Sequence, residues 1–348
     1  MSPEFEKTNQ TFDRATLLRR GAVAGAALGL AGSLPRLAKA RNAGATINIV
    51  AYSTPKPVLS TLIANFQATP QGQGVSFTQS YGPSTSQAQA VAAGLPCDII
   101  FPSWPGDVQI LVDAGLVNKN WNEQSYSGIV ANTVVAFAVR HYNPKKIKGW
   151  NDLIKPGVQV ITPDPFSSGS AKWNILAAYS AQRHLGKTDA QAIAYVKQLF
   201  HNVAAQPTSG SAGTAAFLAG EGDTLITYES EAIAATLKGT QVEYVIPRQT
   251  LLIQLPIAVM QNSPNKDVAN QFIQFLKSTP SQLVFGQNGF RPVNPAAAKT
   301  FTKFPVRPGQ ITLADKTLGG YAAAQQKWFS SPNGLMYGIE SAVGGPSS

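Results

Sequence analysis

Hydrophobic and polar residues follow one another along the chain in the order typical of short strands alternating with helices. Residues 47–51 form an apolar strand candidate, and the apolar residues of 58–66 recur at the three-to-four spacing of a helix packed on one face. The same order continues with a strand at residues 75–78, a helix at 84–93 and a third strand at 97–101. This alternation predicts an α/β fold with a parallel sheet and helices on both of its faces.

Two long apolar runs, residues 133–140 and 251–260, are predicted to carry the chain between two structural units. The first run leads into Tyr142-Asn143-Pro144, where the chain would enter a second lobe, and the second run would return it to the first. We therefore expect two α/β lobes joined by two crossing strands that act as a hinge. Further strands are predicted at residues 158–162 and 225–228, and further helices at residues 268–276 and 315–329. The expected boundaries are residues 45–141 plus 247–340 for lobe 1 and residues 142–246 for lobe 2.

The first 40 residues are predicted to be a signal peptide. Arg19-Arg20 precede an uncharged run rich in alanine, glycine and leucine, and the small residues of Ala38-Lys39-Ala40 suit a signal peptidase. The arginine pair resembles a twin-arginine signal, although Leu18 precedes it instead of serine or threonine. We therefore expect an exported protein, in the periplasm or the extracytoplasmic cell-wall space. An uncleaved anchor helix is the alternative for residues 1–40.

Charge and metal-ligating residues exclude several classes of function. The chain has 28 Lys and Arg residues against 18 Asp and Glu residues, but no run of five or six bases, so no nucleic-acid partner is expected. The single cysteine, Cys97, excludes intramolecular disulfides and cysteine-rich metal sites. The 3 histidines, His141, His184 and His201, lack helical metal spacing. Neither a metal nor another cofactor is expected.

Three loops between a predicted strand and a predicted helix are rich in serine, threonine and glycine. They cover residues 81–87, 166–173 and 208–214. The first N–H groups of a helix lack intrahelical partners and carry about half a positive charge, and small residues let an anion approach them closely. Ligands of α/β folds bind beyond the carboxyl ends of the strands, where these loops lie. The loops therefore predict an anion site; the alternative is ordinary helix capping, since Ser84 and Gln87 have the spacing of a capping box.

The absence of acidic residues from these loops bears on which anion they would bind. None of the three contains Asp or Glu, although Asp164 lies just before the second. Sulfate at neutral pH carries no proton and only accepts hydrogen bonds, whereas hydrogen phosphate also needs an acceptor for its own proton. A pocket that offers only neutral donors should therefore prefer sulfate-like dianions.

Three other motifs suggest catalysis, but each lacks a required part. Gly186-Lys187-Thr188 resembles the end of a phosphate-binding loop, but Ala181 replaces the upstream glycine and no strand precedes it, so a helix C-cap is expected. Residues 82–86 approach a nucleophile elbow yet lack the final glycine. Glu229 and Glu231 would need a separation of about 5–9 Å to act across a sugar, and a structural role is expected instead.

The chain also contains five longer motifs. They are KNW at 119–121, WNDLIKPGV at 150–158, VITPDPFSSGSAKWN at 160–174, YESEA at 228–232 and GFRP at 289–292. These motifs resemble the prokaryotic sulfate/thiosulfate-binding protein family, and the resemblance extends from about Ile47 to Trp328. It implies the two-lobed periplasmic binding protein fold of type II, with mixed sheets and helices on both faces, and delivery of substrate to an ABC importer. Family members bury dehydrated sulfate between the lobes without a balancing cation.

The resemblance also implies which residues hold the ligand, through main-chain amides, serine hydroxyls and an indole donor. The implied positions are Ser84 in the first loop, Ser168, Gly169 and Ser170 in the second, and Gly210, Ser211 or Ala212 in the third. Tyr228 stands where the family has the indole, and Ser53 stands where an acidic residue usually follows Tyr52 and supports the site. Ser170 replaces a glycine, which keeps the amide and adds a hydroxyl.

We therefore predict an exported, monomeric, non-enzymatic protein that binds sulfate or thiosulfate between two lobes. Its expected partners are the permease and ATPase subunits of an ABC importer. One alternative is a binder of another oxyanion, such as phosphate or molybdate. Another is an exported serine hydrolase using Ser84, which would need a histidine within about 3 Å of that hydroxyl.

Overall fold

The computed structural model describes residues 44–304 and 309–346. The predicted signal peptide, residues 1–40, lies outside the described residues. The strands are β1 (Thr46–Tyr52), β2 (Ser76–Gly82), β3 (Ile99–Phe101), β4 (Ile129–Arg140), β5 (Val160–Ile161), β6 (Val203–Ala205), β7 (Thr224–Tyr228), β8 (Val242–Val245), β9 (Gln249–Pro256), β10 (Ala258–Val259) and β11 (Gly309–Ile311). The helices are α1 (Lys56–Gln67), α2 (Ser84–Ala92), α3 (Pro105–Asp113), α4 (Trp150–Leu153), α5 (Gly169–His184), α6 (Asp189–His201), α7 (Gly210–Leu218), α8 (Glu229–Leu237), α9 (Lys266–Lys277), α10 (Thr279–Gln287), α11 (Pro295–Ala298), α12 (Gly320–Phe329) and α13 (Leu335–Val343).

The first sheet has the strand order β10-β3-β1-β2. Its β1 pairs in parallel with both β2 and β3, which confirms the parallel arrangement predicted from the strand–helix alternation. The returning strand β10 adds an antiparallel edge to β3. Because β1 and β3 are central, their carboxyl ends meet at one edge of the sheet, and the loops that follow them lie side by side.

The second sheet is organised by the two long apolar runs. Residues 129–134 of β4 pair antiparallel with β9, and residues 135–140 pair with β7 and β8 on its two sides. Ten of the 12 residues of β4 are buried, so a continuous apolar run is what the interior of this mixed sheet requires. The two predicted crossing strands are therefore hydrogen-bonded to each other. The full strand order is β11-β9-β4-β7-β5-β6, with β8 paired to β4.

The helices follow the spacing of their apolar residues. In α1, Val58, Leu59, Leu62, Ile63 and Phe66 are all buried, as the three-to-four spacing predicts. Phe66 packs on Phe272 of α9, with 5.2 Å between the ring centroids. Helix α5 differs because every residue from Gly169 to Gln182 is buried, which is typical of a helix surrounded by other elements. No helix of the described ranges is long and apolar enough to cross a membrane.

Two helix ends test the local predictions. Gly186 has a φ of +83° just after α5, and Thr188 caps α6 by accepting a hydrogen bond of 3.2 Å from Gln191 N. The interpretation of Gly186-Lys187-Thr188 as a helix boundary is therefore confirmed. The helix predicted over residues 315–329 instead begins at Gly320, because Asp315 accepts from the main-chain N–H and hydroxyl of Thr317 in a turn. This local bonding competes with the helix, as Asp side chains often do.

Candidate anion-binding site

A small enclosed cavity lies at the carboxyl ends of β1, β2, β3, β5 and β6. Its free volume is close to that of a single water molecule, so the cavity excludes an organic substrate in this closed arrangement. Six of the eight predicted site residues line it: Ser53, Ser84, Ser168, Ser170, Gly210 and Ser211. Five further residues, which the resemblance did not assign to the ligand, complete the lining: Tyr52, Thr54, Gly82, Ser103 and Ser209.

Three helices begin at this cavity. Helix α2 starts at Ser84, α5 at Gly169 and α7 at Gly210, so the three serine- and glycine-rich loops are the three helix N-termini. Each N-terminus offers main-chain N–H groups without intrahelical acceptors and the positive end of a helix dipole. Their convergence favours a negatively charged ligand.

Ser84 does not have the capping role that its spacing to Gln87 predicts. The N-cap of α2 is Pro83, and no side chain caps the helix. The Ser84 hydroxyl instead donates to Asp107 Oδ2 at 2.6 Å and accepts from Ser103 N at 2.8 Å, while Gln87 Nε2 donates to Ser80 Oγ at 3.0 Å. The capping interpretation is therefore wrong for Ser84, because buried partners from another loop and helix take its hydrogen bonds.

Capping is observed at the third loop, and the second loop differs from both. Ser209 Oγ accepts from Ala212 N at 3.1 Å at the start of α7. Ser168 occupies the N-cap position of α5, but its hydroxyl lies 2.8 Å from that of Ser170 and caps nothing. The similar composition of the three loops therefore produces three different hydrogen-bonding patterns.

A buried ion pair lies directly behind the first loop. Asp107 on α3 accepts from Ser84 and, at 2.9 Å, from Thr85 Oγ1. Lys172 Nζ on α5 donates to Thr85 Oγ1 at 2.8 Å and lies 3.6 Å from Asp107 Oδ1. Sequence reasoning missed this acid because it lies 23 residues beyond Ser84, where a carboxylate in the first turn of a helix is unremarkable. Asp107 is one hydroxyl away from the cavity but does not line it.

A second buried carboxylate supports the third loop. Glu231 accepts from the hydroxyls of Thr54 and Thr214, and from Thr227 Oγ1 at 3.4 Å. Burial raises the pKa of Glu231, and these threonine hydroxyls oppose the shift. A Cβ added to Gly210 would lie 3.0 Å from Ser170 Oγ and 3.3 Å from Glu231 Oε1, so glycine permits this close packing. Thr54 thus links the end of β1, next to Ser53, to this carboxylate.

Glu229 serves a different partner. Its two carboxylate oxygens accept from Arg291 Nε at 2.7 Å and Nη2 at 3.1 Å, in a buried bidentate pair. Glu229 and Glu231, the candidate catalytic pair, are thus both hydrogen-bonded to neighbouring side chains of the protein.

The two remaining predicted residues, Gly169 and Tyr228, lie next to the cavity and do not line it. Gly169 packs against Ser103 and Ser84 of the facing loops, where an added Cβ would be 2.3 Å from Ser103 Oγ. Tyr228 is buried with its ring centroid 6.4 Å from that of Tyr52, and its hydroxyl has no hydrogen-bond partner. Burial raises the pKa of Tyr228 well above the usual value of 10.0, while the Ser103 side chain opposes the shift.

The hydrogen-bond partners of the Ser84 hydroxyl do not include a histidine. His141 Nδ1 lies 3.3 Å from Glu243 Oε1, and His184 Nε2 lies 3.0 Å from Asp315 Oδ2, both near the protein surface. The partners of Ser84 are Asp107 and Ser103. Within residues 44–304 and 309–346, no group of three or more His, Cys, Asp or Glu residues could hold a metal ion.

Known proteins resemble this chain over most of its length. Residues 47–291 match the family of bacterial extracellular solute-binding proteins. A sulfate-binding protein of Synechococcus elongatus is 35% identical over 309 residues, which cover 86% of this chain and 87% of the relative. A thiosulfate-binding protein of Pseudomonas aeruginosa is 32% identical over 269 residues, which cover 74% of this chain and 80% of the relative.

A solved structure agrees with these matches. The sulfate-binding protein SubI from Mycobacterium tuberculosis H37Rv has 42% identity and a TM-score of 0.79, covering 82% of this chain and 100% of that chain. The predicted two-lobed periplasmic binding protein fold of type II, with mixed sheets and helices on both faces, is thereby confirmed. The chain belongs to the bacterial extracellular solute-binding protein family and, within it, to the sulfate-binding and thiosulfate-binding group.

Proposed function

We propose that this protein captures sulfate, or thiosulfate, in the cavity between its two lobes and delivers it to the membrane subunits of an ABC importer. The observation that carries the proposal is the cavity lining, which consists of hydroxyl residues and glycine, with no carboxylate, where three helices begin. This lining supplies hydrogen-bond donors to an anion that has no proton of its own. The names of the relatives, sulfate-binding and thiosulfate-binding proteins, support the same ligand class.

Closure of the lobes completes the site in this proposal. Lys172 and Trp173 belong to predicted lobe 2, and they donate to Thr85 Oγ1 and to Ser103 O, at 2.8 Å and 2.6 Å, in predicted lobe 1. These bonds would break as the lobes separate, so the open protein admits the dianion and the closed one surrounds it. Removing a dianion from water is costly unless its oxygens are hydrogen-bonded, which is why several loops must contribute donors together.

The same lining disfavours a phosphate-binding function. Phosphate carries at least one proton across pH 6 to 8, and a carboxylate is the strongest acceptor for it, yet neither Asp107 nor Glu231 lines the cavity. The arrangement around Ser84 does not support the serine hydrolase alternative, because its hydroxyl bonds Asp107 and Ser103 N and not a histidine. We propose a non-enzymatic, monomeric binding protein, exported through the twin-arginine-like segment of residues 1–40.

Thermal unfolding against a panel of oxyanions tests this function. A ligand that binds only the folded state stabilises it in proportion to the logarithm of its concentration over Kd. Sulfate or thiosulfate should raise the melting temperature of the purified protein at pH 7, whereas an equal concentration of phosphate should raise it much less. Molybdate, which also carries no proton, is included to test the other oxyanion alternative. If phosphate or molybdate raised the melting temperature and sulfate did not, that other oxyanion would be the ligand and the proposal would be wrong.

A further inference from the structure

Most serine hydroxyls around the cavity already have partners within the protein. Ser84 donates to Asp107 at 2.6 Å, and the hydroxyls of Ser168 and Ser170 bond each other at 2.8 Å. Ser209 and Ser211 form a similar pair at 3.3 Å. Ser84 would have to release Asp107 before it could donate to an anion. In each serine pair one hydroxyl uses its proton on the other, so only one proton per pair is free to reach a ligand oxygen.

Two other hydroxyls at the cavity have no such partner. Tyr52 Oη and Ser103 Oγ are buried and have no partner within hydrogen-bond geometry, although both residues line the cavity. The group that the Ser103 side chain approaches is the Tyr228 hydroxyl, which itself lacks a partner in that geometry. Their exposed fractions are only 4% for Tyr52 and 1% for Ser103. A buried hydroxyl without a partner destabilises the folded state, and native proteins contain few such groups.

The main chain of Ser103 is fixed while its hydroxyl stays free. Its N–H donates to Ser84 Oγ at 2.8 Å, and its carbonyl accepts from Trp173 Nε1 at 2.6 Å. Its Oγ lies so close to Gly169 that a Cβ there would be only 2.3 Å away. The residue therefore holds an unpaired donor against the N-terminus of α5, where the helix dipole favours an anion. Positioning a donor before binding reduces the ordering cost of forming the complex.

We propose that Ser103 and Tyr52 donate directly to the bound oxyanion and are specificity-determining residues of the site. The inference rests on the proposed function and adds two hydroxyl donors that no sequence motif indicated. Both residues lie in predicted lobe 1, at the carboxyl ends of β3 and β1. Tyr228 lies next to both residues, since its ring packs near that of Tyr52 and its hydroxyl lies near the Ser103 side chain.

The test compares Ser103→Ala and Tyr52→Phe with Ser230→Ala as a matched control. Ser230 Oγ is also buried and without a partner, but Ser230 does not line the cavity. Removing an unpaired buried hydroxyl should preserve or raise the ligand-free melting temperature of all three variants. Calorimetric titration with sulfate should show affinity reduced about tenfold or more in Ser103→Ala and Tyr52→Phe, and unchanged in Ser230→Ala.

The outcomes separate the inference from the proposed function. If the unmodified protein binds sulfate and both cavity variants bind it equally well, the inference is wrong and the proposed function stands. Loss of affinity together with a lowered ligand-free melting temperature in both cavity variants would mean that these hydroxyls maintain the fold, which also overturns the inference. If the unmodified protein binds no sulfate, both proposals fail.

Discussion

At the scale of single residues, the site depends on small side chains that let three loops approach closely. Gly169 contacts Ser103 and Ser84 of the facing loops, and Gly210 contacts Ser170 and Glu231. A Cβ at Gly169 would require the Ser103 hydroxyl to move, and one at Gly210 would require the Ser170 and Glu231 side chains to adjust slightly. The glycines therefore set the distances between the donors of the cavity, in addition to exposing main-chain amides.

Gly169→Ala should weaken sulfate binding by about tenfold or more. The new Cβ would lie only 2.3 Å from Ser103 Oγ and would push that hydroxyl away from its position at the cavity. Gly338→Ala is the control, since nothing lies within 4 Å of that position, which is in α13. The control should be neutral or slightly stabilising, by up to about 1 kcal/mol. Calorimetry measures the sulfate affinity of both variants, and ligand-free melting temperatures measure their stability. Equal sulfate affinity in the two variants would contradict the proposed role of Gly169.

The limits of sequence reasoning are clearest at the first loop. Composition was sufficient to indicate the three loops as one anion site, because small polar residues before helices point to anion binding. The family resemblance, and not composition, implied Ser84, Ser168 and Gly210 within those loops. It could not show that Ser84 bonds Asp107, since that pairing depends on how α2 packs against α3. The same limit hid Ser103, a single serine after a strand, whose importance comes from its neighbours in the fold.

At the scale of elements, α5 connects the site to the rest of the protein. Its N-terminus faces the cavity, its next turn carries Lys172 to the buried Asp107, and Trp173 bonds the main chain of Ser103. A helix buried on all sides can transmit a shift of one loop to several others. Sequence patterns predicted the strands and helices well where apolar spacing was regular, as in α1 and β4. They failed at the start of α12, where side-chain bonding of Asp315 overrides the pattern.

Lys172→Gln should destabilise the ligand-free protein by about 3–5 kcal/mol, because it leaves the buried Asp107 carboxylate without its cation. Lys155→Gln removes an exposed partner of Asp152 and should cost less than about 1 kcal/mol. Denaturant unfolding of both variants measures the difference. Adding Asp107→Asn to Lys172→Gln should recover part of the loss. Equal stability of Lys172→Gln and Lys155→Gln would show that the buried pair is unimportant.

Helix α13 should make stability depend on pH through Glu340. Burial raises the pKa of this carboxyl from 4.5 to about 7, with Asp164 adding to the shift and Gln206 opposing it. The folded state therefore binds the proton more tightly than the unfolded state. This contribution is fully present below pH 4.5 and is lost as the pH rises through about 7.

Glu340→Gln keeps an acceptor for Gln206 Nε2 and removes the titration. The variant should match the unmodified protein at pH 4.5 and exceed its stability at pH 8 by at most about 3 kcal/mol. Melting temperatures across this pH range give the result, with Glu243→Gln at the surface as the control. A constant difference between Glu340→Gln and the unmodified protein at every pH would contradict the role of Glu340.

At the scale of the whole molecule, the described structure contains two mixed sheets, and the cavity is lined by residues from loops that follow strands of both sheets. The bonds from Lys172 and Trp173 to the facing loop, and the link from Thr54 to Glu231, connect residues of the two predicted lobes. The buried charges near the site are paired or hydrogen-bonded, so they do not supply a free cation to a ligand. Binding of a dianion must therefore depend on neutral donors and helix N-termini.

Calorimetric titration of the purified protein with sulfate at pH 7 tests this central claim most directly. We expect saturable binding of one sulfate per chain, with phosphate at the same concentration giving much weaker binding. We also expect sulfate at 1,000 times Kd to stabilise the folded state by about 4 kcal/mol. Absence of binding heat and of any melting shift at millimolar sulfate would contradict the account, as would phosphate binding as tightly as sulfate.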